Sequence, residues 1–149
     1  MGRGAKKKGS AWELEASRLL TAFSGVWKKI PGSGALSHIY KDSSLSSDLV
    51  GVYPWWRKKF RGEAKTGYGG ATQITVKREW ITKNMEEARE AGGYPCLILK
   101  MRNVRGKEED RTSAKLIVFT VDTWLDLMEE IEELYDDNVK LLERIYNED

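Results

Sequence analysis

Cysteine and histidine each occur once in the 149 residues, as Cys96 and His38. A single cysteine forms no disulfide within the chain, and neither a cysteine-rich nor a histidine-clustered metal site can be assembled. The apolar neighbours of Cys96 in "PCLILK" point to a buried, inert thiol. Any metal must therefore be held by carboxylate and carbonyl oxygens, which suits magnesium or manganese. No apolar run reaches ~18 residues, so no membrane-spanning helix is expected. The basic start "MGRGAKKKGS" has no apolar core behind it and does not read as a secretion signal. An intracellular, cytoplasmic setting is the expectation.

What is present suits one compact domain. Six Trp and six Tyr are many for this length, and they serve either core packing or stacking on bases. The net charge of +2 conceals an asymmetry. Residues 1–65 hold 13 Lys/Arg against 5 Asp/Glu, whereas residues 122–149 hold 2 against 11. The basic part, with "AKKKG" and "RKKFR" in it, favours a polyanionic partner, and the acidic end faces elsewhere.

Residues 1–9 are Gly/Lys-rich and are expected as a flexible basic arm, its Lys6, Lys7 and Lys8 available to a nucleic-acid backbone. Residues 10–149 follow as one domain. "SAWELEASRLLTAF" reads as an amphipathic helix, with Ser10 and Glu13 spaced as a capping box. "GVWKKIPG" and "SDLVGVY" read as strands, separated by a polar Gly/Ser-rich loop over residues 32–46. "RKKFRGEAKT" is a third strand, its alternation placing Lys59, Arg61, Glu63 and Lys65 on one face. "VKREWITKNMEEAREAGG" is a helix closed by Gly92 and Gly93. "YPCLILKMR" and "KLIVFTV" are strands, the first apolar enough to be central, and residues 122–147 form an acidic helix with Asp122 as its cap. This order implies an α/β domain, a central mixed β-sheet flanked by helices.

Within that frame Asp48 begins the second strand, and Glu63 and Lys65 share a face of the third. If the two strands pair, Asp48 and Glu63 approach one another. Two adjacent carboxylates either raise a pKa or recruit a cation, and hard divalent cations answer that need. Phosphodiester cleavage uses the same parts, with a lysine to position water and offset charge. Taken alone, Glu63 and Lys65 read equally as an exposed ion pair worth ~0–1 kcal/mol. Glu13 reads equally as the partner in its own capping box.

The segments "KKGSAWELEASRLL", "IPGSGA", "SSDLVGV", "RGEAKTG" and "VKREWI" resemble the PD-(D/E)xK nuclease superfamily, and more narrowly the archaeal-type Holliday junction resolvases, including phage-carried versions. The resemblance spans roughly residues 7–101. It implies a restriction-endonuclease-like fold and a two-fold homodimer that cuts opposed strands of a four-way DNA junction with Mg2+, for which Mn2+ substitutes. No small-molecule cofactor or membrane partner is implied. It assigns Asp48 and Glu63 as metal ligands, with the Ala64 carbonyl completing the shell. Glu13 helps hold the metal or its water, Lys65 is the catalytic lysine, and Ser33 in "PGSG" matches a loop serine that assists cleavage.

Two positions depart from the pattern. Ser47 stands where the family name expects proline, and Trp80 stands where relatives often carry glutamine, a place that Gln73 could take. "WWRKKFR" brings Arg57, Lys58, Lys59 and Arg61 together with aromatics, either to grip DNA or as a turn packed under the sheet. Gly69 and Gly70 follow the third strand, where bare backbone lets a phosphate chain pass close. Other nucleases of the superfamily, acting on duplexes, flaps or replication intermediates, and non-catalytic DNA-binding modules are the competing readings.

Overall fold

The computed structural model describes residues 3–32, 46–67, 74–101 and 114–147, with residues 3–8 as backbone only. The chain divides into two compact units, Met1–Val118 and Phe119–Asp149. The first contains α1 (Arg3–Leu20), β1 (Val26–Lys29), β2 (Leu49–Val52), β3 (Phe60–Thr66), α2 (Arg78–Ala91), β4 (Tyr94–Lys100) and β5 (Lys115–Val118). Its five strands lie side by side in chain order. The β3–β4 pair is parallel and the other three pairs are antiparallel. A parallel pair needs a crossover, and α2 supplies it. The expected mixed sheet flanked by helices is the one observed.

Sequence periodicity explains which residues fill the core. Trp12 and Ala16, four apart on α1, are both buried, and Trp12 donates its indole N–H to the Ile98 carbonyl at 3.2 Å. β4 is apolar on both faces, with Cys96, Leu97, Ile98 and Leu99 all buried, as befits a strand between two neighbours and two helical layers. Burial pushes the Cys96 thiol pKa up, so the thiol is inert. Lys100, at the end of β4, is also buried, and its ammonium lies 5.2 Å above the Trp12 ring and pairs with Glu15 of α1. That hydrogen bond, with Lys115 adding to it, holds the Glu15 carboxyl below its ordinary range. α2 ends as its sequence implies: Gly92 adopts φ 68°, and the Gly92 and Gly93 N–H groups return to the last carbonyls.

Two helix starts differ from expectation. α1 begins at Arg3, so residues 3–9 are its first turns and Ser10 lies inside it. The Ser10 hydroxyl accepts from Lys29 of β1 instead of capping. The second unit is built on α3 (Val121–Asn147), and its cap is Thr120 rather than Asp122, because the Thr123 N–H donates to the Thr120 hydroxyl at 3.2 Å. No helix among the described residues is long and apolar enough to cross a membrane.

Close approach sets one glycine. A Cβ on Gly51 of β2 would lie 2.2 Å from the buried Trp27 ring. Gly51→Ala is expected to destabilise the fold by about 1–3 kcal/mol, the usual range for overpacking a dense core. Urea denaturation followed by tryptophan fluorescence measures the change.

Candidate active site

The site begins where β2 parts from β3. The register Leu49↔Gly62, continued by one residue, sets Asp48 beside Glu63. The Asp48 N–H donates to the Gly62 carbonyl at 3.0 Å, and the Asp48 carbonyl accepts from Ile30 at 2.9 Å, so its backbone is stitched between β1 and β3. One residue earlier, Ser47 has φ 73°, in the left-handed region, and the chain no longer continues the ladder. In a strand, residues two apart aim their N–H and C=O groups to the same side. Ala64 therefore points its N–H toward β2 as Gly62 does, but finds no backbone partner there. The Asp48 Oδ2 accepts that N–H at 3.0 Å. By the same alternation the Ala64 carbonyl lies on the β2 side of the strand, the side from which Asp48 approaches.

Glu63 is 3% exposed. Its Oε1 pairs with Lys65 at 2.6 Å, while its buried Oε2 has no hydrogen-bond partner. Asp48 feels this neighbour. Burial first, and then the Glu63 charge, push the Asp48 carboxyl up from 3.8 to about 6, against the Ala64 N–H that favours its charged form. Glu13 adds to this repulsion and Lys65 opposes it.

α2 closes the site on the face of the sheet that Glu63 occupies. Its Trp80 ring lies 5.5 Å from the Lys65 ammonium and 5.9 Å from that of Lys77. Asn84, fully inside, donates to the Arg61 carbonyl at 2.9 Å and ties α2 to β3. Lys83 reaches Glu63 Oε1 at 3.6 Å and Glu87 Oε1 at 3.6 Å. Burial works against the Lys83 charge, yet the Glu63 and Glu87 carboxylates hold its pKa above the ordinary lysine value. Burial also holds the Glu87 carboxyl above its usual range despite Lys83, with the Glu63 charge adding to the effect. Lys83 and Glu87 escaped the sequence reading, which stopped at Trp80. The available signal was spacing: positions three and seven after Trp80 share its helix face.

Of the sequence-based candidates, Asp48, Glu63, Ala64 and Lys65 come together. Glu13 is near enough to act on the Asp48 charge, but it pairs with Lys29 at 2.7 Å. Among the described residues, no three acidic, His or Cys side chains converge as a metal-binding group. Of the three carboxylates that the resemblance assigns to the metal, Asp48 and Glu63 lie side by side, while Glu13 is engaged by Lys29. Arg61, expected among the DNA contacts, is 4% exposed, and its stem packs where a Gly93 Cβ would lie. Within "WWRKKFR", Trp56 packs on Phe60 and Tyr94 at 6.1 and 6.4 Å, and Lys58 stacks over Tyr94 at 5.4 Å. Arg57, Lys58 and Lys59 stay exposed, at the opposite end of β3 from Lys65, roughly 20 Å away at the usual strand rise. Ser33, His38, Gly69, Gly70 and Gln73, together with the side chains of Lys6, Lys7 and Lys8, lie outside the described residues.

The donor set fits a hard divalent cation. It offers two carboxylates and a carbonyl, one carboxylate oxygen is buried without a partner, and the other carboxylate is held in a form that disfavours its own charge. The family model described as "Phage putative PDDEXK endonuclease" matches residues 4–144. The chain belongs to this family. It is a nuclease of the PD-(D/E)xK superfamily, and such nucleases generally use divalent metals. No curated protein matches the chain. Asp48, Glu63 and Lys65 are the residues to which the sequence resemblance assigns the D, E and K of the motif.

The raised Asp48 pKa has a stability consequence. Between about pH 4 and 6 the folded state binds the proton more tightly than the unfolded state, so without metal this group's contribution falls as pH rises. Asp48→Asn keeps an acceptor for the Ala64 N–H and removes the charge. In EDTA at about pH 8 the variant should unfold several °C above the wild type, a gain on the order of 1–3 kcal/mol. The difference should vanish below about pH 3, where the wild-type carboxyl is protonated in both states. Differential scanning fluorimetry across pH reads both arms.

Proposed function

We propose that the nuclease is a magnesium-dependent, structure-specific endonuclease that resolves four-way DNA junctions by paired phosphodiester hydrolysis. The observation that carries the nuclease chemistry is the union of Asp48, Glu63 and Lys65 around the Ala64 peptide. The junction preference is supported by the segments that resemble archaeal-type resolvases, "KKGSAWELEASRLL" and "RGEAKTG" foremost.

Asp48, Glu63 and the Ala64 carbonyl would hold the ion. A bound Mg2+ supplies Lewis acidity toward a phosphoryl oxygen and a lowered pKa for water. The protein's own part is positional. The Ala64 N–H fixes the Asp48 carboxylate, and burial keeps Glu63 in a single arrangement. The Lys65 ammonium, aligned by Glu63 and faced by the Trp80 ring, offsets negative charge developing on the phosphoryl group. Glu13, held by Lys29 at the rim, acts on the water and on the Asp48 charge through space. Arg57, Lys58 and Lys59 serve DNA arms distant from the scissile bond, as backbone contacts without base preference. A two-fold dimer places two such sites on opposed strands, and α3 offers exposed Trp124, Leu125, Leu141, Leu142 and Ile145 as an apolar surface for it.

Cleavage of a four-way junction, a flap and a plain duplex, each with Mg2+ and with EDTA, tests the proposal. The expected result is Mg2+-dependent cutting of the junction alone, at symmetric positions. Equal cutting of all three substrates would replace the junction reading by that of a general nuclease of the superfamily. Asp48→Asn and Glu63→Gln should each lower the cutting rate by at least about 100-fold, the scale of removing one preorganised electrostatic partner. Junction binding in a gel-shift assay should stay within about 3-fold, because phosphate contacts elsewhere carry the affinity.

A further inference from the structure

Lys65 is the lysine that the E-x-K spacing nominates, but the same carboxylate oxygen has a second ammonium beside it. Lys83 and Lys65 approach Glu63 Oε1 from different elements, α2 and β3, at 3.6 and 2.6 Å. The two contacts differ in kind. The Lys65 distance is that of a charge-assisted hydrogen bond, whereas 3.6 Å lies beyond the ~2.7–2.9 Å such bonds prefer. Lys83 stands equally far from Glu87 Oε1, so its ammonium hangs between two carboxylates without being committed to either. The carboxylates are buried, yet the Lys83 side chain is 56% exposed. Its charge therefore lies on the solvent side of the buried Glu63.

Folding does not require this placement. A buried pair gains from close, well-hydrogen-bonded geometry, which Lys65 already supplies. On a helix, a lysine preceding a glutamate by four residues is the weaker orientation for an ion pair. The Glu87 Oε2 remains buried without a partner, so the pair does not satisfy even its own carboxylate. What the arrangement does supply is a cation next to Glu63, left with donors to spare once the charge of that carboxylate is shared with a divalent ion.

We propose that Lys83 is a second lysine of the site, contacting a phosphate of the bound strand next to the scissile one, with the Glu87 carboxylate 3.6 Å from its ammonium. The proposal rests on Asp48 and Glu63 being the cleavage centre. The predicted contact is to the sugar-phosphate backbone and carries no base preference.

Steady-state cleavage of junction DNA by wild type, Lys83→Met, Lys83→Arg and Asp48→Asn, over a salt series in Mg2+, tests it, with Mn2+ titrated calorimetrically into each protein without DNA. Lys83→Met should raise KM about 10-fold and reduce the slope of log(kcat/KM) against log salt by about one, the loss of one phosphate contact. Lys83→Arg, which keeps the charge, should stay within about 3-fold of wild type. Mn2+ binding should be unchanged or tighter in Lys83→Met, because a positive charge beside Glu63 has been removed. Unchanged KM and salt slope would overturn the proposal, and so would weaker Mn2+ binding, which would mean that Lys83 only orients Glu63. Should Lys83→Met fail to fold, Lys83→Gln is the second neutral variant. Normal cutting by Asp48→Asn would instead overturn the assignment of the centre itself.

Discussion

The hydrogen bond from the Ala64 amide to the Asp48 carboxylate marks the point on which the candidate site depends. Up to Gly62 the two strands pair backbone to backbone. Beyond it the chain turns away at Ser47, through a left-handed conformation that a non-glycine residue rarely takes. A side-chain oxygen then stands where a backbone carbonyl would have stood. That exchange satisfies the open amide and brings a second carboxylate against Glu63. By strand alternation the Ala64 carbonyl lies on that same side. A sheet that closed fully here would have no room for a cation.

The cost of this arrangement is electrostatic. Two carboxylates are held in a mostly buried space, and the protein answers with positive charge from several elements. Lys65 comes from β3 itself, Lys83 from α2, and Lys29 from β1 faces Glu13 at the rim. The balance is incomplete: Glu63 keeps a buried oxygen without a partner, and the Asp48 pKa stays raised. Stability is withheld at the place where function needs an unsatisfied charge, a common relation between activity and stability. The Trp80 ring completes the wall. An aromatic face beside Lys65 limits where that ammonium can point while leaving its charge intact.

Much of the fold was legible because its signals are local. The apolar run "YPCLILK" is central since nothing polar interrupts it before Lys100, and Gly92 ends α2 because only a residue at ease with positive φ closes a helix that way. Helix starts were less legible. Ser10 and Glu13 have capping-box spacing, but Lys29 competes for both, and the helix continues upstream to Arg3. Asp122 looked like a cap, yet Thr120 takes that role through its hydroxyl. Arg61 shows the limit of alternation. It does share a face with Glu63 and Lys65, but that face is covered by α2, so a basic residue that looked ready for DNA is interior.

By itself, the sequence determined the donor chemistry. With one cysteine and one histidine, only oxygen ligands are available in number, and strand alternation puts Glu63 and Lys65 on one face, while the resemblance to the superfamily came from the longer segments around them, "KKGSAWELEASRLL" and "RGEAKTG" foremost. Tertiary structure decided which charges share the space. The pairing register seats Asp48 beside Glu63, Lys29 draws Glu13 to the rim, and the turns of α2 carry Lys83 and Glu87 to a strand about 20 residues earlier in the chain. Such encounters depend on how elements cross in three dimensions. Local sequence encodes the face that each element presents, but not the partner it will meet.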